Sequence, residues 1–151
     1  MKKKILSIVA TLTLLIPITI IGFAGLSGRV TADIPFNFTV GNKEFKAGKY
    51  SVGRLASGRT ADTLILRSED GLEAANFNVN MVYGKGKPRA RMVFNRYGNQ
   101  YFLTQIFDAE SAEGSALVKS KAEREAAKKR DVITQNAAEP EVVTVAAQLA
   151  R

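Results

Sequence analysis

"ANFNVNMVY", Ala75 to Tyr83, sets apolar and polar residues in alternation. Ala75, Phe77, Val79, Met81 and Tyr83 fall on one side of an extended chain, and Asn76, Asn78 and Asn80 on the other, because successive strand side chains point to opposite faces. The period of two predicts a strand with one face on a core and one in water, the habit of antiparallel sheets.

Working outward, the same beat recurs on both sides. "TLILRS" (Thr63 to Ser68) reads as a short buried strand that closes on the turn residues Glu69, Asp70 and Gly71. Further upstream, Ile34, Phe36, Phe38 and Val40 share a face, with Pro35 marking a strand start or an edge. Gly41-Asn42 supplies the positive-φ residues of a tight hairpin. From Lys43 to Arg54 the parity slips: Phe45 and Ala47 are odd, Tyr50 and Val52 even. The slip falls at Ala47-Gly48, where a turn or bulge lets both aromatics face inward. Downstream, Gly84 to Pro88 reads as a loop, and "RARMVFNR" and "QYFLTQIFD" flank the turn Tyr97-Gly98-Asn99. Turn signals near residues 41, 48, 58, 71, 84–88 and 98 leave no room for the helical crossovers that parallel strands need. The expected fold is all-β, a single antiparallel β-sandwich or small barrel of about 7–8 strands. The two-residue period does not choose between them.

The ends differ from this middle, which spans residues 29–110. Residues 1–28 begin MKKK and then carry no charge before Arg29, a cationic start, a long apolar run and a small-residue end. These are the parts of a secretory signal peptide, expected to be helical. Cleavage after Gly28 or after Ala32 fits, and the region holds no cysteine for lipid attachment. The apolar run approaches the roughly 20 residues that span a bilayer, so a second reading retains residues 5–26 as an inner-membrane anchor. At the other end, residues 111–138 read as a short charged helix or linker. Ser120-x-x-Glu123 is a capping box, and Lys121–Glu125 and Glu125–Lys129 are opposite-charge pairs at i,i+4. The only apolar residues of "SKAEREAAKKR" are alanines, which predicts a helix exposed all round. Residues 139–151 form a tail in which "VVTV" (Val142 to Val145) is a candidate last strand.

The chemistry is bounded by what is missing. The chain has no His and no Cys, which removes every imidazole- or thiolate-based nucleophile relay. It also removes the usual nitrogen and sulfur ligands of zinc, copper and iron–sulfur sites. Carboxylate chemistry remains, paired acids or an all-oxygen calcium site, but Asp and Glu total 14 and no calcium-loop motif occurs. A carboxylate-only hydrolase would have to draw on Asp62, Glu69, Asp70 and Asp108. The reading is a non-catalytic domain with no cofactor and no metal site. Loss of the leader's Lys2, Lys3 and Lys4 takes the net charge from +8 to +5. For an exported protein that excess points away from nucleic acid and toward an anionic envelope component; contact with the membrane itself follows only if the leader is retained.

Several features invite a functional reading beside a structural one. Lys85, Lys87, Arg89 and Arg91 alternate and in an extended chain would form an anion-binding strip; the alternative is a charged edge that discourages aggregation. Phe36, Phe38, Phe45, Tyr50, Phe77, Phe94, Phe102 and Phe107 either line a barrel cavity for an apolar ligand or fill the core. Asn76, Asn78 and Asn80 either face a sugar or form the wet side of a strand.

The segments "RVTADIPFNFTVGNKEFKAGKYSV", "LILRSEDG" and "MVFNRYGNQYFLTQIF", followed by "KSKAERE", resemble a group of small exported proteins of unassigned function found largely in soil acidobacteria. The resemblance covers about residues 29 to 146 and implies an exported β domain; it transfers no activity and no binding residues. Lys46 stands where that group usually has proline before the Ala-Gly turn. Separately, A-G-x-Y-x-V (Ala47 to Val52) is similar to the turn-into-strand of prealbumin-like exported modules.

Overall fold

The computed structural model describes residues 28–55, 63–134 and 139–150, with no side-chain description for residues 131–134. The expected leader helix, the turn signal near 58 and Asp62 lie outside these residues. The described chain is mostly β, with eleven strands and one helix.

The long apolar face around Phe36 is two strands. β1 (Arg29–Ile34) pairs with β4 (Gly48–Arg54), whereas β2 (Phe38–Val40) forms a hairpin with β3 (Lys43–Phe45) and touches β8 (Gln100–Phe107). The chain crosses between partners at Pro35–Asn37, where proline offers no N–H to a ladder. It crosses back at the parity slip, where Asn37 Oδ1 accepts the Ala47 N–H at 3.0 Å. Of the two expected devices the slip is the turn, between β3 and β4, and it marks a change of partner with Phe45 and Tyr50 both buried. At the hairpin, Gly41 takes φ 62°, which glycine adopts without steric cost.

β4 continues to β5 (Thr63–Ser68), and β5 to β6 (Ala74–Tyr83). β7 (Arg91–Tyr97) and β8 form the expected hairpin, with Gly98 at φ 62°. β9 (Glu113–Leu117) lies between β6 and β8, inside the stretch expected as helix or linker. After α1 (Lys121–Thr134), β10 (Glu141–Ala146) pairs with β7 and β11 (Gln148–Ala150) with β1. The ladder runs β10-β7-β8-β9-β6-β5-β4-β1-β11. It exceeds the expected strand count because the runs at 34–40 and 43–54 each divide where they change partner, and because β9 and β11 add strands outside the expected ones.

Two stretches carry the sheet around the core. β6 pairs with β5 through Asn78 and with β9 from Val79 onward. β10 and β11 meet at Ala147, whose N–H donates to the Ala90 carbonyl at 3.0 Å. The two ends of the ladder are thus joined by the chain and not by paired strands; the sheet is not a closed barrel. The bend in β6 corrects the reading of its inner face. Val79 is buried, but Met81 and Tyr83 are 50% and 68% exposed, because the strand outruns the core once it leaves β5.

The core holds Val30, Ile34, Val52, Leu66, Met92 and Ile106, none with measurable exposure. Phe38 packs against Phe45, Tyr50 and Phe94 with ring centroids 5.0–5.6 Å apart. Phe36 stacks on Tyr101 at 4.0 Å and meets Phe94 edge-on. Each fully buried ring of this kind contributes about 1.5–3 kcal/mol. Among the described residues no helix is long and apolar enough to cross a membrane.

Candidate functional site

The loop between β6 and β7 carries Lys85, Lys87 and Arg89, and the fourth alternating cation, Arg91, opens β7. Lys85, Lys87 and Arg89 sit on exposed, non-extended chain around Gly86, whose φ is 86°. Lys85, Lys87 and Arg91 border one shallow depression beside Phe107, and Arg89 lies outside its lining. Arg91 is the first residue of β7, opposite Phe107 on β8. Its guanidinium lies 3.9 Å from the Phe107 ring centroid, and its Nη1 donates to the Arg89 carbonyl at 3.3 Å. Phe107 is in turn seated on glycine: a Cβ at Gly114 would come within 2.5–2.7 Å of the ring and of the Ile106 carbonyl. A Cβ at Gly84 would fall 2.6 Å from Arg91 Nη2 and 2.9 Å from the ring. Arg91 packs on Phe107 while bordering the same depression as Lys85 and Lys87.

A second concentration of polar groups lies where β4 meets the β5–β6 turn. An open groove of ≈ 670 Å³ is lined there by Lys46, Lys49, Tyr50, Asp70, Leu72 and Glu73, among others. Tyr50, Glu73, Asp70 and Lys49 have structural partners. The Tyr50 hydroxyl donates to the Lys46 carbonyl at 2.8 Å and lies 3.3 Å from Glu73 Oε2. Burial first, and then the Glu73 charge, push the phenol up to about 12. Asp70 accepts from the Ser68 hydroxyl and from the Leu72 N–H at 3.0 Å. These bonds hold its carboxyl below the ordinary value of 3.8. Lys49 pairs with Glu69 at 2.9 Å, a bond that raises the ammonium's pKa. Of the other acids considered, Asp108 is buried just after β8, where its carboxylate accepts the Glu110 and Ser111 N–H groups at 3.0 and 3.3 Å. Among the described residues no group of three or more acids is placed to hold a metal ion.

The third place is helix α1, and here sequence reasoning missed the important residue. Ala122, Ala126 and Ala127 pack on Tyr97 and Phe102, so the helix is docked and not exposed all round. Glu123 is buried between them. Its backbone N–H donates to Ser120 Oγ at 3.1 Å, as a capping box requires. Its side chain turns to the sheet instead, accepting from Asn95 Nδ2 at 3.0 Å and from the Tyr97 hydroxyl at 3.3 Å. Burial, and then the Glu123 charge, push the Tyr97 phenol above its ordinary 10. The only sequence signal for this was position: with Ala122, Ala126 and Ala127, Glu123 shares the alanine side of the helix.

At the foot of α1 lies an open groove of ≈ 730 Å³, lined by the β2–β3 turn, the first half of β6 and the residues leading into the helix. Asn76, Phe77 and Asn78 form one wall; Leu117, Val118, Lys119 and Ser120 form the other. Lys43 bridges toward β6, donating to the Ala74 carbonyl at 3.1 Å and lying 5.0 Å from the Phe45 ring centroid. Asn42 Oδ1 accepts the Ala122 N–H at 3.4 Å, tying this turn to the helix.

The chain matches no family model, no curated protein and no solved structure.

Proposed function

We propose that this protein is an exported, non-catalytic β domain of sandwich type that serves the cell envelope as a binding or accessory module. One observation carries the reading: among the described residues, Asp70, Asp108, Glu73 and Glu123 are engaged in holding the fold. Asp70 and Asp108 fix turns through backbone N–H groups, Glu73 meets Tyr50, and Glu123 anchors the helix. A general acid or nucleophile must instead face a substrate-sized space with a partner acid roughly 5–10 Å away. The packed rings around Phe38 and Phe94 likewise argue against an interior that carries an apolar ligand, because such a site needs some hundreds of Å³. Export rests on the three-part leader and on the resemblance to exported proteins.

The test is native purification from the envelope fraction of the producing cell, followed by intact mass and N-terminal sequencing. The expected start is near Arg29 or Asp33, with a co-purifying partner that is not turned over. A retained Met1 would replace export by membrane anchoring. Glycan or peptide hydrolysis that is lost on Glu69→Gln or Asp70→Asn would overturn the non-catalytic reading.

A further inference from the structure

Charge along residues 119–130 is mixed in sequence, but the fold sorts it. Lys121, Arg124 and Lys128, spaced three and four apart, make one row on the helix face opposite Ala122, Glu123 and Ala126. Lys129 is exposed to one side, with Glu125 between it and that row. The first-turn acid, Glu123, is withdrawn beneath the helix by Asn95 and Tyr97. Glu125 is then the one exposed acid between Lys119 and Arg130, and Lys121 lies 3.9 Å from it. The row continues through Lys119 into the groove at the foot of the helix, whose lining includes Lys43 and no carboxylate. The groove adds Asn76, Asn78 and Ser120 as hydrogen-bonding groups, with Phe77 and Leu117 as apolar wall.

We propose that the groove and the outward face of α1 together bind a linear, carboxylate-bearing polysaccharide. The cations meet the carboxylates, the amides and the serine suit sugar hydroxyls, and the apolar wall suits the C–H face of a sugar ring. Shape selects a chain over a membrane. The helix row carries no apolar side chain that would enter a bilayer, unlike an interfacial helix. Its continuation is concave, which a flexible chain can follow and a flat headgroup layer cannot. The proposal rests on the binding-module reading above and names its ligand class.

The test uses the protein from its own host in affinity electrophoresis, with polygalacturonate, neutral dextran and phosphatidylglycerol vesicles as probes. Polygalacturonate is expected to retard the protein, increasingly so as salt is lowered, while dextran leaves it unmoved. The double reversal Lys119→Glu/Lys128→Glu should weaken retardation about tenfold or more, as loss of a steering field does, with unchanged circular dichroism and Tm. Asn76→Ala, which removes an exposed amide from the groove, should weaken it less but measurably. Lys85→Glu/Lys87→Glu should retain most of it. Unchanged retardation in the Lys119/Lys128 variant, or binding to vesicles in place of polygalacturonate, overturns the proposal. If polygalacturonate fails while native purification still yields a partner, the ligand class falls and the binding-module reading stands. If neither appears, both fall.

Discussion

The loop at residues 84–91 and the helix at 121–134 are both rich in lysine and arginine, and the fold treats them oppositely. In the loop a regular alternation of like charges is broken: Gly86 turns the chain, and Arg91 is taken up by the Phe107 ring. Along residues 121–130 of the helix the mixture of signs shifts toward positive at the surface, because Glu123 is drawn inward to Asn95 and Tyr97 and leaves Glu125 as the exposed acid. Charge read along a chain therefore says little about charge presented at a surface. What decides it is which residues find a partner inside.

The strongest way to break this comparison is at the seat of Phe107. Gly114→Ala places a methyl within 2.5–2.7 Å of the ring and of backbone, and neither can move without disturbing the ladder. It should cost about 3 kcal/mol, the upper part of the overpacking range, read by chemical denaturation. A neutral result would mean the ring is not fixed, and Arg91 would lose its claim as a packing residue. Gly84→Ala should cost less, since its closest contact is the flexible end of Arg91.

The next test addresses the helix. Glu123→Ala leaves the Asn95 amide and the Tyr97 hydroxyl without their shared acceptor and should cost about 2 kcal/mol. Glu123→Gln keeps an acceptor and removes the charge, so it separates the two contributions. Ultraviolet titration of the tyrosines then reads the site directly. Tyr50 should ionise at about 12 in both proteins. Tyr97, held above 10 by burial and by the Glu123 charge, should move down in the Gln variant but stay above 10, because burial remains. The sign for stability follows: the fold disfavours both phenolates, so their contribution is complete below about pH 10 and fades as the pH rises through the folded values. A Tyr97 titration that ignores the Gln variant would detach Glu123 from this site.

These tests also mark how far the sequence was legible. Period-two runs located β5, most of β6 and the β7–β8 hairpin, because alternation, turn glycines and burial all agree there. The parity slip at Ala47-Gly48 is the expected turn with Phe45 and Tyr50 both buried, but neither it nor Phe36 showed that the chain changes partner, which is a long-range choice. Met81 and Tyr83 obey the alternation and lie outside, since period two reports a face and not how far the core extends. The capping box reads as reciprocal, but only its Ser120 half forms; the Glu123 carboxylate goes to Asn95 and Tyr97 instead, which only the packed helix reveals. Gly114 gave no local signal at all, because its reason is a ring on the neighbouring strand.

Within the loop the comparison sharpens again at Arg91. Arg91→Ala removes a cation held 3.9 Å from the Phe107 ring centroid and should cost about 1 kcal/mol, between the exposed and desolvated limits for such pairs. Arg91→Lys should recover part of this, since the charge stays while the flat stacking surface is lost. If alanine at 91 is neutral while Gly114→Ala is severe, the seat of the ring rests on the glycines alone.

The smallest effect is expected from Lys85→Ser/Lys87→Ser, and it tests the other half of the contrast. Both side chains are exposed on the turn around Gly86, so denaturation should shift by no more than about 0.5 kcal/mol. A loop that is merely soluble tolerates this change in every assay. A loop that works as a strip would lose polyanion retardation at unchanged stability, and the sorting of cations onto α1 would then have no functional weight. The same measurement made beside the Lys119/Lys128 reversal ranks the two cationic regions on one scale, with net charge as a built-in control. The paired serines remove two positive charges and the paired glutamates change the total by four, so a response that merely tracks total charge should show a ratio near two. Loss confined to the helix variant cannot come from net charge and must come from place.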